Sequence, residues 1–136
     1  MYPHIDASAY EVVFDFGCGC GRVARQLIQQ RPVPRRYVGI DLHAGMIRWC
    51  RENLASRAEG FEFQHHDVAN YNFNPGRSKP DVLPFAVDDH GFTLVNAWSV
   101  FTHLTQSQTG HYPNECARIL RPDGVLNSTW VLLRQA

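Results

Sequence analysis

The chain has 136 residues, 44% of them apolar and 19% charged, and its 13 basic and 13 acidic side chains cancel. That size and balance describe one globular domain, residues 1–136, around a single core. They exclude a disordered chain and a general nucleic-acid binder, which needs a basic surface, and no apolar run approaches the roughly 18–20 residues of a membrane span.

The opening residues, MYPHIDASAY, lack the basic-then-apolar build of an export signal, so a cytoplasmic location is expected. Residues 11–16, EVVFDF, read as a buried strand that stops where Gly17, Gly19 and Gly21 begin. Residues 21–30 follow as a helix with Val23, Leu27 and Ile28 on one face, stopped by the proline-rich 31–34. RYVGID, 36–41, is a second strand, and 44–57 a second helix with Met46, Ile47, Cys50 and Leu54 on its apolar side. FEFQHH, 61–66, alternates like a third strand.

Residues 68–91 carry Pro75, Gly76, Pro80 and Pro84 and show no helical period; a connection of that length is often functional. FTLVNA, 92–97, is a fourth strand, and a helix over about 106–120 buries Cys116, Ile119 and Leu120. Arg-Pro-Asp-Gly, 121–124, reads as a turn into a fifth strand, 125–133. Strands alternating with helices imply a parallel sheet with right-handed crossovers, and ligands of such sheets bind beyond the strands' carboxyl ends.

Those ends carry the chemistry. Glycines after strand one let the backbone turn sharply and let a ligand touch the main chain. Asp41, closing strand two, has the place of an acidic residue that accepts from both ribose hydroxyls; a helix-capping role for it or His43 is the plainer alternative. His65-His66-Asp67-Val68 closes strand three, where a carboxylate and a backbone N–H can read an adenine edge. Adjacent strand residues face opposite ways, so the two histidines do not share an ion. Cys18 and Cys20 have no second Cys or His pair at zinc spacing, so no metal is expected. The glycine order misses the dinucleotide fingerprint G-x-G-x-x-G by one residue, with Arg22 in the third position, and the loop has no lysine for a phosphate. Asp15, two places before the first glycine, repels phosphate and suits an ammonium. An amino acid joined to adenosine meets both demands.

Five stretches in order now resemble the class I S-adenosylmethionine-dependent methyltransferases: VVFDFGCGCGRVARQL, YVGIDLHAGMIRWCREN, FQHHDV, FTLVNAWSVFTHL and ECARILRPDGVL. The resemblance covers 11–133. It implies an α/β fold, a three-layer Rossmann-like sheet in the order 3-2-1-4-5, without the usual last strands because the chain stops at Ala136. It implies S-adenosyl-L-methionine as cofactor. Gly17, Cys18, Gly19 and Gly21 would take the methionine portion and Asp15 its amino end. Asp41 would take the ribose and Leu42 would underlie the adenine. Asp67 and Val68 would read the adenine edge, while Asn96 and Ala97 would approach the methionine from strand four.

The implied reaction is direct methyl transfer, with a small molecule as acceptor. His103, and less directly His111 and Tyr112, would lie near the methyl, His103 as candidate base. Thr93 stands where relatives often have Asp. An uncovered sheet edge invites a homodimer. A binding module without turnover and a nicotinamide-dependent dehydrogenase are the alternatives, the second disfavoured by the early third glycine.

Overall fold

A computed structural model describes residues 2–76 and 78–131. Five strands, β1 (Val12–Phe16), β2 (Arg36–Asp41), β3 (Phe61–His65), β4 (Phe92–Ala97) and β5 (Leu120–Ser128), form one sheet in the order β3-β2-β1-β4-β5. Every neighbouring pair is parallel. The helices are α1 (Arg22–Ile28), α2 (Ala44–Asn53) and α3 (Gln106–Ile119). The expected class and strand order are therefore those of the protein. No helix among the described residues is long and apolar enough to cross a membrane.

Strand alternation sorts the side chains into two cores. Val13, Tyr37, Leu94, Phe61 and Phe63 pack with Ala24 and Leu27 of α1 and Ile47 and Cys50 of α2. Val12, Phe14, Phe16, Val38, Ile40, Phe92 and Val95 pack on the other face with Tyr112, Cys116 and Ile119 of α3. Cys50 and Cys116 are buried free thiols of these cores.

The first face also holds a polar row. Register places Asp15 beside both Gly39 and Asn96, and Asn96 beside Asn127. Tyr37 Oη donates to Asp15 Oδ2 at 2.6 Å, Asn96 Nδ2 to Asp15 Oδ1 at 2.7 Å, and Asn127 Nδ2 to Asn96 Oδ1 at 2.8 Å. Gly39 makes the row possible: a Cβ there would lie 3.0 Å from the Tyr37 ring and 3.0 Å from the Cys18 thiol. Burial raises the Asp15 carboxyl above the usual carboxylate range, opposed by the Tyr37 and Asn96 bonds.

Segment 68–91 has no helix, as its prolines predict, yet it is tied down throughout. Gln108, 1% exposed, donates from Nε2 to the carbonyls of Ala69 (3.2 Å) and Asp81 (3.0 Å). Its Oε1 accepts from Thr105 N–H, and the Thr105 hydroxyl accepts from Gln108 N–H, a capping box that starts α3. Arg118 donates to the carbonyls of Val87 and Phe85 and pairs with Asp89 and Glu115, while Glu115 accepts the Phe85 N–H. Phe85 is buried with its ring centroid 4.8 Å from Phe14 and 5.4 Å from Tyr112. Burying such a ring stabilises the segment's far end by about 1.5–3 kcal/mol.

Several expected boundaries need correction. α2 stops at Asn53, and a 3-10 turn, Ala55–Arg57, takes its last residues. A further 3-10 helix, Ala7–Glu11, precedes β1; Thr93 Oγ1 lies 2.8 Å from Ala9 O and 2.9 Å from Val12 O and accepts the Val12 N–H, fastening that helix to β4. Arg-Pro-Asp-Gly is no turn before a later strand. β5 starts at Leu120, and 121–124 form a bulge, since Phe92 pairs with Leu120 and Leu94 with Val125. The strand ends at Ser128; residues 132 and 133 of the expected strand lie outside the described residues.

Tyr37→Phe keeps the ring stacked on Phe61 (4.9 Å) but takes a hydroxyl from a buried carboxylate. The expected loss is about 1–3 kcal/mol of stability in urea unfolding; an unchanged midpoint and slope would show the row to be dispensable.

Candidate functional site

Beyond the carboxyl ends of the strands lies a cavity of about 290 Å³. Its wall runs from Phe16 and Gly17, over Asp41, Leu42 and Met46, to Val68, Asn70 and Phe73, and returns through Trp98, Ser99, Val100, His103, Leu104, Gln108 and Tyr112. The topology predicts this location, because parallel strands all deliver their ends to one side.

The three loop glycines all have left-handed φ, +79° at Gly17, +53° at Gly19 and +72° at Gly21, but they serve different ends. A Cβ on Gly17 would lie 2.5 Å from Val100, and one on Gly21 would strike Leu54. Those two glycines let the loop pack on its neighbours. Around Gly19 the space is open, with Met46 Sδ at 4.0 Å as the nearest atom. Only there is the missing side chain replaced by room. Of the three, Gly17 lies on the cavity wall, while Gly19 and Gly21 are not among its lining residues.

Asp41 is half-buried at the end of β2. Its Oδ2 accepts the Gly19 N–H at 2.9 Å and its Oδ1 the His43 N–H at 2.9 Å. His43, not Asp41, caps α2, accepting from Met46 N–H through Nδ1. The capping alternative for Asp41 is thereby removed. Gly17 and Cys18 N–H both donate to Ile40 O, which holds the loop against β2.

The remaining expected residues divide. Leu42 and Val68 join Gly17, Asp41 and His103 on the cavity wall. Asp15, Asn96 and Ala97 are buried in the sheet, the first two in the polar row, and none of them lines the cavity. Cys18 is buried beneath the loop and Gly21 within the α2 contact. Asp67 is exposed beside the cavity; its Oδ1 accepts from Asn74 Nδ2 at 2.9 Å and pairs with the chain's one lysine, Lys79. That pairing, with the Asn74 bond, holds its carboxyl below the usual carboxylate range. Oδ2 has no recorded partner among the described residues. His103 is exposed at the end of a 3-10 turn, Phe101–His103, its ring edge-on to Phe73 with centroids 6.5 Å apart.

Several wall residues escaped the sequence. Ser99 adopts φ +61°, uncommon for a residue with a side chain. Its N–H donates to Thr129 Oγ1 at 2.6 Å and its carbonyl accepts from Thr102 Oγ1 at 3.3 Å, so the strained turn is held from both sides. No local signal marks that conformation. Tyr112 was read as lying near the reacting group, but not its partner: His66 Nε2 and Tyr112 Oη are 2.9 Å apart. His65 instead bonds Leu42 O through Nε2 at 2.9 Å. The two histidines thus take separate partners. Burial, with His65 and His111 nearby, lowers His66 to about 4, and burial pushes Tyr112 up to about 12. Both are neutral at pH 7.

A family model described as "Methyltransferase domain" matches residues 13–124. Among solved structures, the PH0226 protein of Pyrococcus horikoshii OT3 is 24% identical with a TM-score of 0.65, covering 88% of this chain and 49% of that one. Phosphoethanolamine N-methyltransferase 1 of Haemonchus contortus, in complex with phosphoethanolamine and S-adenosylhomocysteine, is 20% identical with a TM-score of 0.67, covering 88% and 22%. The [4+2]-cyclase SpnF is 22% identical with a TM-score of 0.63, covering 92% and 40%. At such identities the likeness is one of fold. The chain spans less than half the length of each.

Because folding depresses the His66 pKa, neutral His66 favours the native state. Its contribution is complete above about pH 6.5 and is lost as pH falls towards about 4, amounting to about 3 kcal/mol over that window. His66→Gln should flatten the fall in urea-unfolding free energy between about pH 7 and about pH 4; equal slopes in both proteins would refute the assignment.

Proposed function

We infer, from the premise that this chain belongs to the methyltransferase domain family, that it binds S-adenosyl-L-methionine along the glycine loop and serves methyl transfer to a small-molecule acceptor. The observation that carries the reading is the pairing of Gly19 with Asp41. Open space replaces the Gly19 side chain, and the carboxylate that closes β2 reaches the same peptide. An adenosyl amino acid needs both features, naked backbone for one end and a hydroxyl acceptor for the other.

The cavity wall beside that pair fits the same ligand. Asp41 accepts the ribose hydroxyls in exchange for part of its bonding to Gly19 and His43. Leu42 and Val68 supply apolar surface for the adenine, and Asp67 Oδ2 is available to its amino group. Gly17 and Cys18 shape the loop. Asp15 reaches the ammonium end by field more than by contact, because both its oxygens are engaged and its charge is buried. Asn96 orients Asp15, and Ala97 keeps the end of β4 close-packed. These are positioning roles.

The cofactor supplies a methyl group on a sulfonium, whose sulfur is a good leaving group as the acceptor's lone pair takes the carbon. The protein's task is alignment, for which effective molarities of about 10⁵–10⁸ M are available. His103 is the candidate to take a proton from the acceptor.

A second reading, cofactor binding without methyl transfer, has one observation in its favour. A structure of the same fold bears the name of a cyclase, so the fold alone does not fix the reaction.

Calorimetry with S-adenosylhomocysteine tests the cofactor reading. Gly19→Val should abolish measurable binding, with thermal unfolding showing whether the chain still folds, since φ +53° there costs a β-branched residue about 1–2 kcal/mol. Asp41→Ala should weaken binding by about 10- to 100-fold, the loss of hydrogen bonds to a charged acceptor. Unaltered affinity in both variants would overturn the site.

A further inference from the structure

Part of the cavity wall is built from Phe73, Trp98, His103 and Leu104, with the Phe73 and His103 rings edge-on at 6.5 Å between centroids. Phe73 is 47% exposed and Trp98 41%. The Trp98 ring stacks on Tyr2 at 5.2 Å between centroids, and both Phe73 and Trp98 keep surface in water that gains by being covered. Phe73 is fixed there by a small closed turn. Asn70 and Asn74 exchange backbone N–H···O bonds at 3.1 Å, and Asn70 Oδ1 accepts from the N–H groups of Asn72 and Phe73 at 3.0 Å. Asn74 Nδ2 donates to Val68 O at 2.8 Å, and Lys79 Nζ donates to Asn74 Oδ1 at 2.8 Å. The turn presents its aromatic residue preformed.

Charge is nearly absent from the wall. Asp41 is the one Asp, Glu, Lys or Arg among the described lining residues, and both its oxygens already accept backbone N–H groups. An anionic acceptor would shed water with no counter-charge to meet it, and a cationic one would find no uncommitted carboxylate among the lining residues. The polar side chains are mostly committed too. Gln108 serves Thr105, Ala69 and Asp81; Tyr112 serves His66; Asn70 serves its own turn. The His103 ring and the Ser99 hydroxyl carry no recorded hydrogen bond among the described residues.

We propose that the acceptor is an uncharged apolar molecule carrying a hydroxyl group, seated against Phe73 and Trp98 with its hydroxyl at His103. This rests on the cofactor reading, which assigns Asp41, Leu42 and Val68 to the cofactor and leaves Phe73, Trp98 and His103 to the acceptor. The apolar body gains from covering the two rings, and the hydroxyl meets the uncommitted imidazole, which accepts its hydrogen bond and can take its proton.

The test uses the full chain saturated with S-adenosylhomocysteine and three probes of one shape: 2-naphthol, 2-naphthoate and 2-naphthylmethylammonium. Calorimetry should give saturable binding of 2-naphthol, at least about tenfold tighter than either charged probe. Phe73→Ala should weaken 2-naphthol by about tenfold and leave S-adenosylhomocysteine unaffected. His103→Phe should erase the preference for 2-naphthol over 2-methylnaphthalene. A charged probe that binds as tightly, or a normal S-adenosylhomocysteine complex that saturates with none of the three, overturns the acceptor class. Persistence of the hydroxyl preference in His103→Phe overturns the role of His103. Failure of S-adenosylhomocysteine itself to bind is a separate result that removes the cofactor reading and this inference with it.

Discussion

A carboxylate buried inside a parallel sheet is costly unless its oxygens are met, and Asp15 is met from both sides. Tyr37 reaches it from β2 and Asn96 from β4, while Asn127 holds Asn96 from β5. Four of the five strands are thereby cross-linked by side chains, with Asp15, Asn96 and Asn127 at one level near the carboxyl ends and Tyr37 reaching up from two residues below it on β2. A slip of one residue in any of those strands would turn its member of the row to the opposite face. The register that brings Gly17, Asp41 and Ser99 to one cavity is therefore the register that keeps Asp15 satisfied.

The glycine loop inherits its form from that level. Gly17 and Cys18 hang from Ile40 O, and Gly21 closes back on Cys18 O before α1 begins. Two of the glycines are consumed in fitting the loop to Val100 and Leu54, which leaves Gly19 as the place where backbone faces open space. Asp41 is spared from helix capping by His43 and bonds the Gly19 peptide instead. Loop and acidic strand end thus form one unit and not two neighbouring features.

Much of this was legible in the sequence, and the boundary has a physical cause. β2 and β4 run where RYVGID and FTLVNA place them, because short apolar runs flanked by breakers carry their own limits. Asp41, Leu42 and Val68 reach the cavity wall because their positions follow from strand ends, a local property. Asn127 could not, since its place in the row depends on a register shift caused by the bulge at 121–124. Ser99 could not, since its backbone conformation is imposed by Thr129 and Thr102. Nothing in the helical pattern of 106–120 singles out Gln108, and only the returning segment 68–91 makes it a buried anchor.

The anchors of that segment have a consequence for how such a protein can diversify. Gln108 and Arg118 grip Ala69, Asp81, Phe85 and Val87 by their carbonyl oxygens. Every amino acid possesses that oxygen. Ala69 and Asp81 can therefore be replaced without loosening the grip of Gln108, and Phe73, which enters its turn's hydrogen bonds by backbone alone, can change as well. The scaffold's integrity and the identity of its guest are written in different atoms of the same stretch, so selection can revise one while leaving the other intact.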